Sequence, residues 1–513
     1  MIPVNKTNHK NGKNSIIALA VITSLVTFLL LFNPFKPSYA ATDFVTIDKE
    51  SYRLFNEQKW DSVIIIGKVA FKAQIDYFYL RLRVGISYFW MKRYLQAIEH
   101  LQKAREFNSI DPLATEYLYL SCIYSGRDLD AQALTSSMPG MMKEKLEIKK
   151  KFLSQVHFEG GYTFSSDDKI QNNPDLMGND SIYGEQDLYG NHSYYNLGLS
   201  FSLSPRINLT IAYNYLNFSK TKYFQYGYYQ DHLDSTTNYS WGYENHYTWK
   251  RYSTSYNSSY KVKQNELFLA SAFHLPDGFK LMPSFHLIFI NYPETYTSYT
   301  PTIITDTLYV DSITPGTGVY SFQQSNYTFL VRDRSITNYV ASLLLTKDFS
   351  IFTAGLSGSY SNLNDMFQTQ FGWSLTWYPF GNTNFYGFTN AIGFFQGNES
   401  RVIFQQNLGG KVLPRLWLEG SAIIGDLTNA NLSNGFIVYN NTDKINYRLG
   451  ANLLWTVTKN IDLSVIYQYF SNESVQVYNI LDPSDPAQST IKQINKYNKY
   501  QTHTLIGGIT WKF

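Results

Sequence analysis

The chain has 513 residues, 43 of them tyrosine and 35 phenylalanine, and only 16% are charged against a usual share of about 25%. With 43 basic and 40 acidic residues it lacks the basic excess that nucleic acid attracts, so nucleic acid is not expected as a partner. A single cysteine, Cys122, excludes an internal disulfide framework.

Lys6, Lys10 and Lys13 precede the apolar run IIALAVITSLVTFLLLF at 16–32, and the small-residue tripeptide Ser38-Tyr39-Ala40 follows. This layout predicts a secretory signal peptide over 1–40, with a retained membrane helix as the competing expectation. Removal after Ala40 takes four lysines and leaves 39 basic and 40 acidic residues. No cysteine follows the apolar run, so a lipid anchor is not indicated.

From 43 to 138 the period is helical. QKWDSVIIIGKVA (58–70), KRYLQAIEHLQKA (92–104) and GRDLDAQAL (126–134) align at a spacing of 34 residues, Trp60 on Tyr94, Ala70 on Ala104 and Ala97 on Ala131. The middle copy, with Gly85, Tyr88, Ala97 and Ala104, resembles the tetratricopeptide (TPR) family, although Arg81 stands where that repeat has tryptophan and Ser109 where it has proline. The resemblance implies antiparallel helix pairs stacked into a short solenoid, whose concave groove docks a periplasmic protein, with those four residues as the partner-binding set. A plain bundle of helical hairpins is the alternative. Cys122 falls inside the helical pattern and is expected as a small core residue. The segment 139–154, containing MKEKLEIKKKF, reads as a basic linker helix that is either solvated or in contact with anionic headgroups.

Beyond 154 alternation takes over. In INLTIAYNYLN (207–217), Ile207, Leu209, Ile211 and Tyr213 share one face and Asn208, Thr210 and Asn214 the other; FQTQFGWSLTW (367–377) and INYRLGANLLWTV (445–457) follow the same plan. Tight breaks occur at SPRI (204–207), LPDGFK (275–280), TKDFS (346–350), PFGNTN (379–384), LPRL (413–416) and TKNI (458–461). Long polar or tyrosine-rich inserts lie at 165–192, about 220–251, 298–324 and 473–497. Short turns at one end and long loops at the other predict an outer-membrane β-barrel over 155–513 with both termini on the periplasmic side. The fold class expected is therefore an α+β multidomain chain, a short α-helical TPR-like solenoid followed by a 14-stranded antiparallel transmembrane β-barrel.

Lipid offers no partner to a bare backbone N–H or C=O, so the sheet must close and the last strand, THTLIGGITWKF, must pair with the first near 155–164. Its terminal Phe513 resembles the C-terminal signature of outer-membrane barrels. Trp377, Tyr378, Phe380, Trp455 and Trp511 are expected in the interfacial girdle. Parity turns Ile445, Tyr447 and Leu449 outward and Asn446 inward. It also predicts a lumen lined by Glu159, Asn208, Gln368, Gln370, Gln405, Asn407, Lys411, Glu419, Arg448, Asn452, Asp462 and Gln468.

No catalytic motif appears, and no histidine is followed by serine two positions on, the pattern in which outer-membrane phospholipases and lipid A deacylases resemble one another. No enzyme, cofactor or metal is expected. Periplasmic repeats followed by an outer-membrane barrel look like the exporters of poly-N-acetylglucosamine, cellulose or related exopolysaccharides. The resemblance implies an outer-membrane barrel channel that passes a hydrophilic polymer such as a polysaccharide. Its partners would be outer-membrane lipid, a periplasmic protein in the repeat groove, and the polymer. The alternative is a non-conducting barrel that anchors the repeats as an assembly platform for an envelope complex.

Overall fold

The computed structural model describes residues 43–148, 151–165, 181–240, 242–309, 317–481 and 491–513. The expected signal peptide lies outside the described residues.

Seven α-helices come first among the described residues: α1 (Phe44–Asn56), α2 (Trp60–Lys72), α3 (Phe78–Trp90), α4 (Tyr94–Phe107), α5 (Pro112–Tyr124), α6 (Asp128–Leu134) and α7 (Gly140–Lys145). The starts of α1, α3 and α5 are 34 residues apart, and so are those of α2, α4 and α6. The turns share one chemistry. Gln58, Lys92 and Gly126, each two residues before a helix start, have positive φ, and the next residue's N–H closes back onto the carbonyl of Leu54, Tyr88 or Cys122. This is the six-to-one bond that satisfies a helix C-terminus. Pro112 occupies the first turn of α5 behind the N-cap Asp111, whose carboxylate accepts from the Ala114 N–H at 2.7 Å.

Gly85, Tyr88, Ala97 and Ala104, expected as the partner-binding set, are buried in the helical core. A Cβ on Gly85 would lie 2.7 Å from Leu101 Cγ, so the missing side chain lets α3 and α4 approach. They shape the helix pair from inside, and any partner must touch other residues. Cys122 belongs to the same core, and burial drives its thiol pKa far up, which leaves it inert. The basic run forms only the six-residue α7, and 149–150 lie outside the described residues.

Sixteen strands follow: β1 (Leu153–Ser165), β2 (Ser181–Ser204), β3 (Ile207–Tyr239), β4 (Gly242–His274), β5 (Phe279–Tyr309), β6 (Thr317–Asp348), β7 (Phe352–Ser361), β8 (Gln368–Trp377), β9 (Phe385–Gln396), β10 (Glu399–Leu413), β11 (Leu416–Ile424), β12 (Asn431–Leu432), β13 (Ile437–Val438), β14 (Lys444–Thr458), β15 (Ile461–Leu481) and β16 (Ile491–Lys512). Fourteen of them close into an antiparallel barrel, and β12 and β13 form a separate two-residue ladder. All six predicted tight breaks join consecutive strands at one end. Closure is made by β1 and β16, paired from Gln155↔Lys512 to Ser165↔Thr502, and the Phe513 N–H adds a bond to the Ser154 carbonyl at 3.0 Å.

Each barrel strand exposes at least one large apolar side chain on its outer face, among them Phe158, Leu197, Leu267, Leu356, Phe371 and Leu505. A continuous apolar band of this extent on a protein bathed in water would drive association; against acyl chains it needs no cover. Tyr378, expected in the girdle, instead packs against the helical core.

The described parts of the long inserts are strand. β3 and β4 have 33 residues each, β5 has 31 and β6 has 32, whereas about 9–11 suffice to cross a bilayer. The β3–β4 ladder runs to Tyr239↔Gly242 and the β5–β6 ladder to Tyr309↔Thr317, while β4 and β5 part beyond Lys263↔Asn291. Two long hairpins therefore rise from the rim and meet through rings. Phe224, fully buried, lies 4.9 Å from Phe329, which stacks on Tyr256 at 4.4 Å. The upper β15 also pairs with β2, from Gln476↔Gln186 to Ile480↔Ser181, which carries the β15–β16 hairpin across the mouth.

At the opposite end the helices dock on the tight turns. Leu95 N donates to the Gly381 carbonyl (2.9 Å), Asn382 to that of Lys92 (2.9 Å), Arg127 to that of Phe349 (2.8 Å) and Gln132 to that of Ser204 (2.7 Å). At the centre Asp130 lies 2.9 Å from His274 and 3.0 Å from Lys280, whose ammonium is also 2.6 Å from Asp348. Burial pushes the Asp130 carboxyl up, but His274 and Lys280 together bring it down to about 2. Because its folded pKa is depressed, its contribution of about 2 kcal/mol is full above the ordinary value of 3.8 and is lost as pH falls toward about 2. The Asp130 carboxylate thus stays charged through mild acid. Asp130→Ala is expected to cost about 3 kcal/mol of docking, because it strips His274 of its partner and Lys280 of one of two. Hydrogen exchange checks this: amides of α6, too short to be helical alone, should exchange roughly a hundredfold faster, and unchanged protection would mean that the cluster does not hold the domains together.

Candidate functional site

The interior is the candidate site. Several of the residues predicted to line the lumen are engaged in holding structure. Gln405 donates to Asn407 (3.1 Å) and Asn407 to Glu419 (3.0 Å), which also accepts from Tyr386 (2.7 Å). Asp462 pairs with Lys512 at 2.7 Å. Glu159 lies 3.0 Å from His157. Lys411, exposed at the turn end, sits over the Trp417 ring at 4.9 Å. Asn208 and Asn452 each keep an enclosed amide oxygen without a partner, and Gln468 borders a cavity.

One expectation of parity fails. A register shift between Ile445 and Tyr447 marks a bulge, which reverses the alternation locally. Ile445 is consequently buried in the lumen beside Leu427 and Tyr439 instead of facing lipid, and the inward assignment of Asn446 falls with it.

The element that sequence reasoning missed is residues 425–443, between β11 and β14. It leaves the loop end of the barrel, turns inward and crosses the lumen. Arg401 of β10 donates to the carbonyls of Asp426 (2.9 Å) and Thr428. Gln370 of β8 reads Asn431 as a strand would, accepting from its N–H (3.1 Å) and donating to its carbonyl (2.9 Å). At the tip, where Ser433, Asn434 and Gly435 all have positive φ, Asn434 donates to the Met282 carbonyl (2.9 Å) and the Gly435 carbonyl meets His286 Nδ1 (2.8 Å). Met282 is only three residues from the turn end of β5, so the tip reaches deep. The return limb is tied by Asn440 to Asn338 (2.8 Å) and by Tyr500 to Asp443 (2.6 Å).

Apolar packing backs these bonds. Leu427, Ala430, Leu432 and Tyr439 cover Ile392, Phe394, Ile403 and Ile423, which point inward from β9, β10 and β11. Val438 packs against a second cluster containing Val262, Ile288, Val340 and Leu363. A legible signal for this existed: AIGFFQ (391–396) and SAII (421–424) are apolar on both faces, which a wall between lipid and water would not be.

Among the described residues the interior holds a cavity of about 420 Å³ between this segment and the wall of β1–β4 and β14–β16. Its lining mixes rings such as Phe218, Phe436, Tyr439 and Phe470 with Arg448, Glu159 and Glu266. Glu266 accepts from Asn214 (2.8 Å) and from Gln264, and lies 3.2 Å from His286. The site can therefore hold a compact ligand as it stands, and can pass something larger only if the segment moves.

No protein-family model matches the sequence, and neither does any curated protein. Among solved structures the chain is similar to a Pseudomonas aeruginosa FadL homologue, at 10% identity over 70% of this chain and 90% of that one, with a TM-score of 0.35. It is similar also to a deltaS2 mutant of the TodX monoaromatic hydrocarbon channel (9% identity, 75% and 94% covered, TM-score 0.34). A bacterial polysaccharide outer membrane secretin is a third (7% identity, 71% and 100% covered, TM-score 0.31). At such scores the likeness carries no argument about cargo or mechanism.

Proposed function

We propose that the chain is a gated channel of the Gram-negative outer membrane, closed by residues 425–443, with its helices in the periplasm as a TPR-like docking domain. One observation carries this: a closed fourteen-stranded cylinder is too wide for its own side chains to fill, and what fills it is a single connecting segment that can in principle withdraw. Its withdrawal would bare the apolar Ile392, Phe394, Ile403 and Ile423, but the rest of the wall on β10 and β11 carries the amides and carboxylate of Gln405, Asn407 and Glu419, a surface suited to a hydrophilic polymer such as a polysaccharide. The partner surface would be the exposed side chains Tyr52, Tyr79, Trp90 and Tyr124, since the small residues of the repeat are internal. No catalytic role is proposed.

The second reading is a non-conducting anchor that presents the helices to an envelope complex, and it is favoured by the many bonds holding 425–443 in place. Planar bilayers separate the two. Under voltage the full-length protein is expected to give rare discrete steps that added oligosaccharides block; if no step appears at any voltage, and none appears after the segment is removed, the anchor reading stands. For the docking domain, a photocrosslinker at Tyr79 should trap one periplasmic protein, whereas a trace identical to that of a probe at Lys143 would count against docking.

A further inference from the structure

Arg448 of β14 projects into the cavity described above and is 7% exposed. Its Nη1 donates to the Tyr439 hydroxyl at 2.9 Å, and its Nε has no partner. Among the described residues no carboxylate lies within ion-pair distance of it. The two carboxylates that border the cavity are committed elsewhere, Glu159 to His157 at 3.0 Å and Glu266 to Asn214 and His286. A buried guanidinium without a counter-ion is costly to fold, and five donors in a fixed fork fit a carboxylate in two-point fashion. Besides amides and hydroxyls, the lining of the same cavity includes three phenyl rings, Phe218 from β3, Phe436 from the inward segment and Phe470 from β15. Faces and edges of that kind select a flat apolar body. A volume of about 420 Å³ suits a small ligand.

We propose that this cavity binds a small aromatic monocarboxylate, with its anion on Arg448 and its ring among Phe218, Phe436 and Phe470. Glu159 and Glu266 at the border disfavour a dianion such as a phosphate ester. The site joins wall and segment, because Arg448 belongs to the barrel while Tyr439 and Phe436 belong to 425–443. It holds whether or not the barrel conducts, so silence in a bilayer leaves it standing.

The test is calorimetric titration of the full-length protein in detergent with phenylacetate, using phenylacetamide as the neutral probe of equal shape. Saturable binding of phenylacetate is expected, weaker by at least about tenfold for the amide and for Arg448→Gln. Because Arg448→Gln also breaks the bond to Tyr439, Tyr439→Phe serves as its control: it removes the same bond, keeps the guanidinium and should bind within about twofold of the parent. Heat-modified gel migration reports whether each barrel is folded. The proposal is overturned if phenylacetate fails to saturate the folded parent, if phenylacetamide binds as well, or if folded Arg448→Gln binds like the parent. Should that variant not fold, the comparison of acid with amide on the parent decides alone.

Discussion

Replacing residues 428–443 with a two-residue Asn-Gly turn is expected to convert a mostly closed barrel into an open pore. The cut is tolerable because Leu427 N already donates to the Ile445 carbonyl at 2.9 Å, so the ends to be joined lie side by side and a tight hairpin fits them. Fourteen strands about 4.8 Å apart and tilted by about 40° enclose a cylinder about 28 Å across between backbones. Inward side chains narrow it, yet a water-filled path on the order of 10 Å should remain. Stepwise conductance should then exceed the parent's mean current by about tenfold or more. The reverse experiment pins the segment: cysteines at Asn434 and Met282, neighbours through the bond from the Asn434 side-chain amide to the Met282 backbone carbonyl (2.9 Å), joined by a short bis-thiol-reactive reagent that reduction cleaves, should abolish openings until a reductant is added. Cys122 is buried in the helical core and takes no part. A shortened barrel that is folded and still silent, also when the β15–β2 pairing across the mouth is broken by Val477→Pro, would show that 425–443 is not what closes the lumen.

Much of this architecture is written locally. Pro205, Asp277 and Gly278, Gly381 and Pro414 mark turns whose chemistry depends only on neighbouring residues, so the strand count and the polarity of the barrel follow from them. Closure by β1 and β16 follows from parity together with the refusal of lipid to satisfy a bare edge. What escaped reading depends on long-range matching. The tyrosine-rich stretches of β3–β6 alternate between residues that are all tolerable in water, so the contrast that identifies a strand is lost even though the ladder continues. Residues 425–443 look like a surface loop because Leu427, Leu432 and Val438 find their apolar partners on strands near 288, 340, 392 and 403, far away in sequence. The bulge at Ile445 shifts parity without any glycine or proline to announce it. The helix pairs are the opposite case: their period of 34 was plain, but the residues that mark it, Gly85 and Ala97 among them, mark packing and not a binding surface.

Arginine in place of Leu505 is expected to destabilise the barrel by about 2–4 kcal/mol in phospholipid vesicles, and arginine in place of Trp511 by no more than about 1 kcal/mol. Leu505 is seven residues from Lys512, the turn end of β16, which at about 3.3 Å per residue and a tilt of about 40° places it roughly 18 Å up the wall, inside the apolar band. It faces outward beside Tyr162 and Tyr467 and is 54% exposed. In a water-soluble sheet a leucine so exposed would accept arginine at a cost within about 0.5 kcal/mol, so the size of the effect reports the medium and not the packing. Trp511, one residue from the end of β16, sits where headgroups and water solvate a guanidinium. Urea unfolding of both variants in vesicles, followed by tryptophan fluorescence, gives the two costs directly. Equal and small costs would mean that this face meets water, and the cylinder would then have to be explained as something other than a membrane wall.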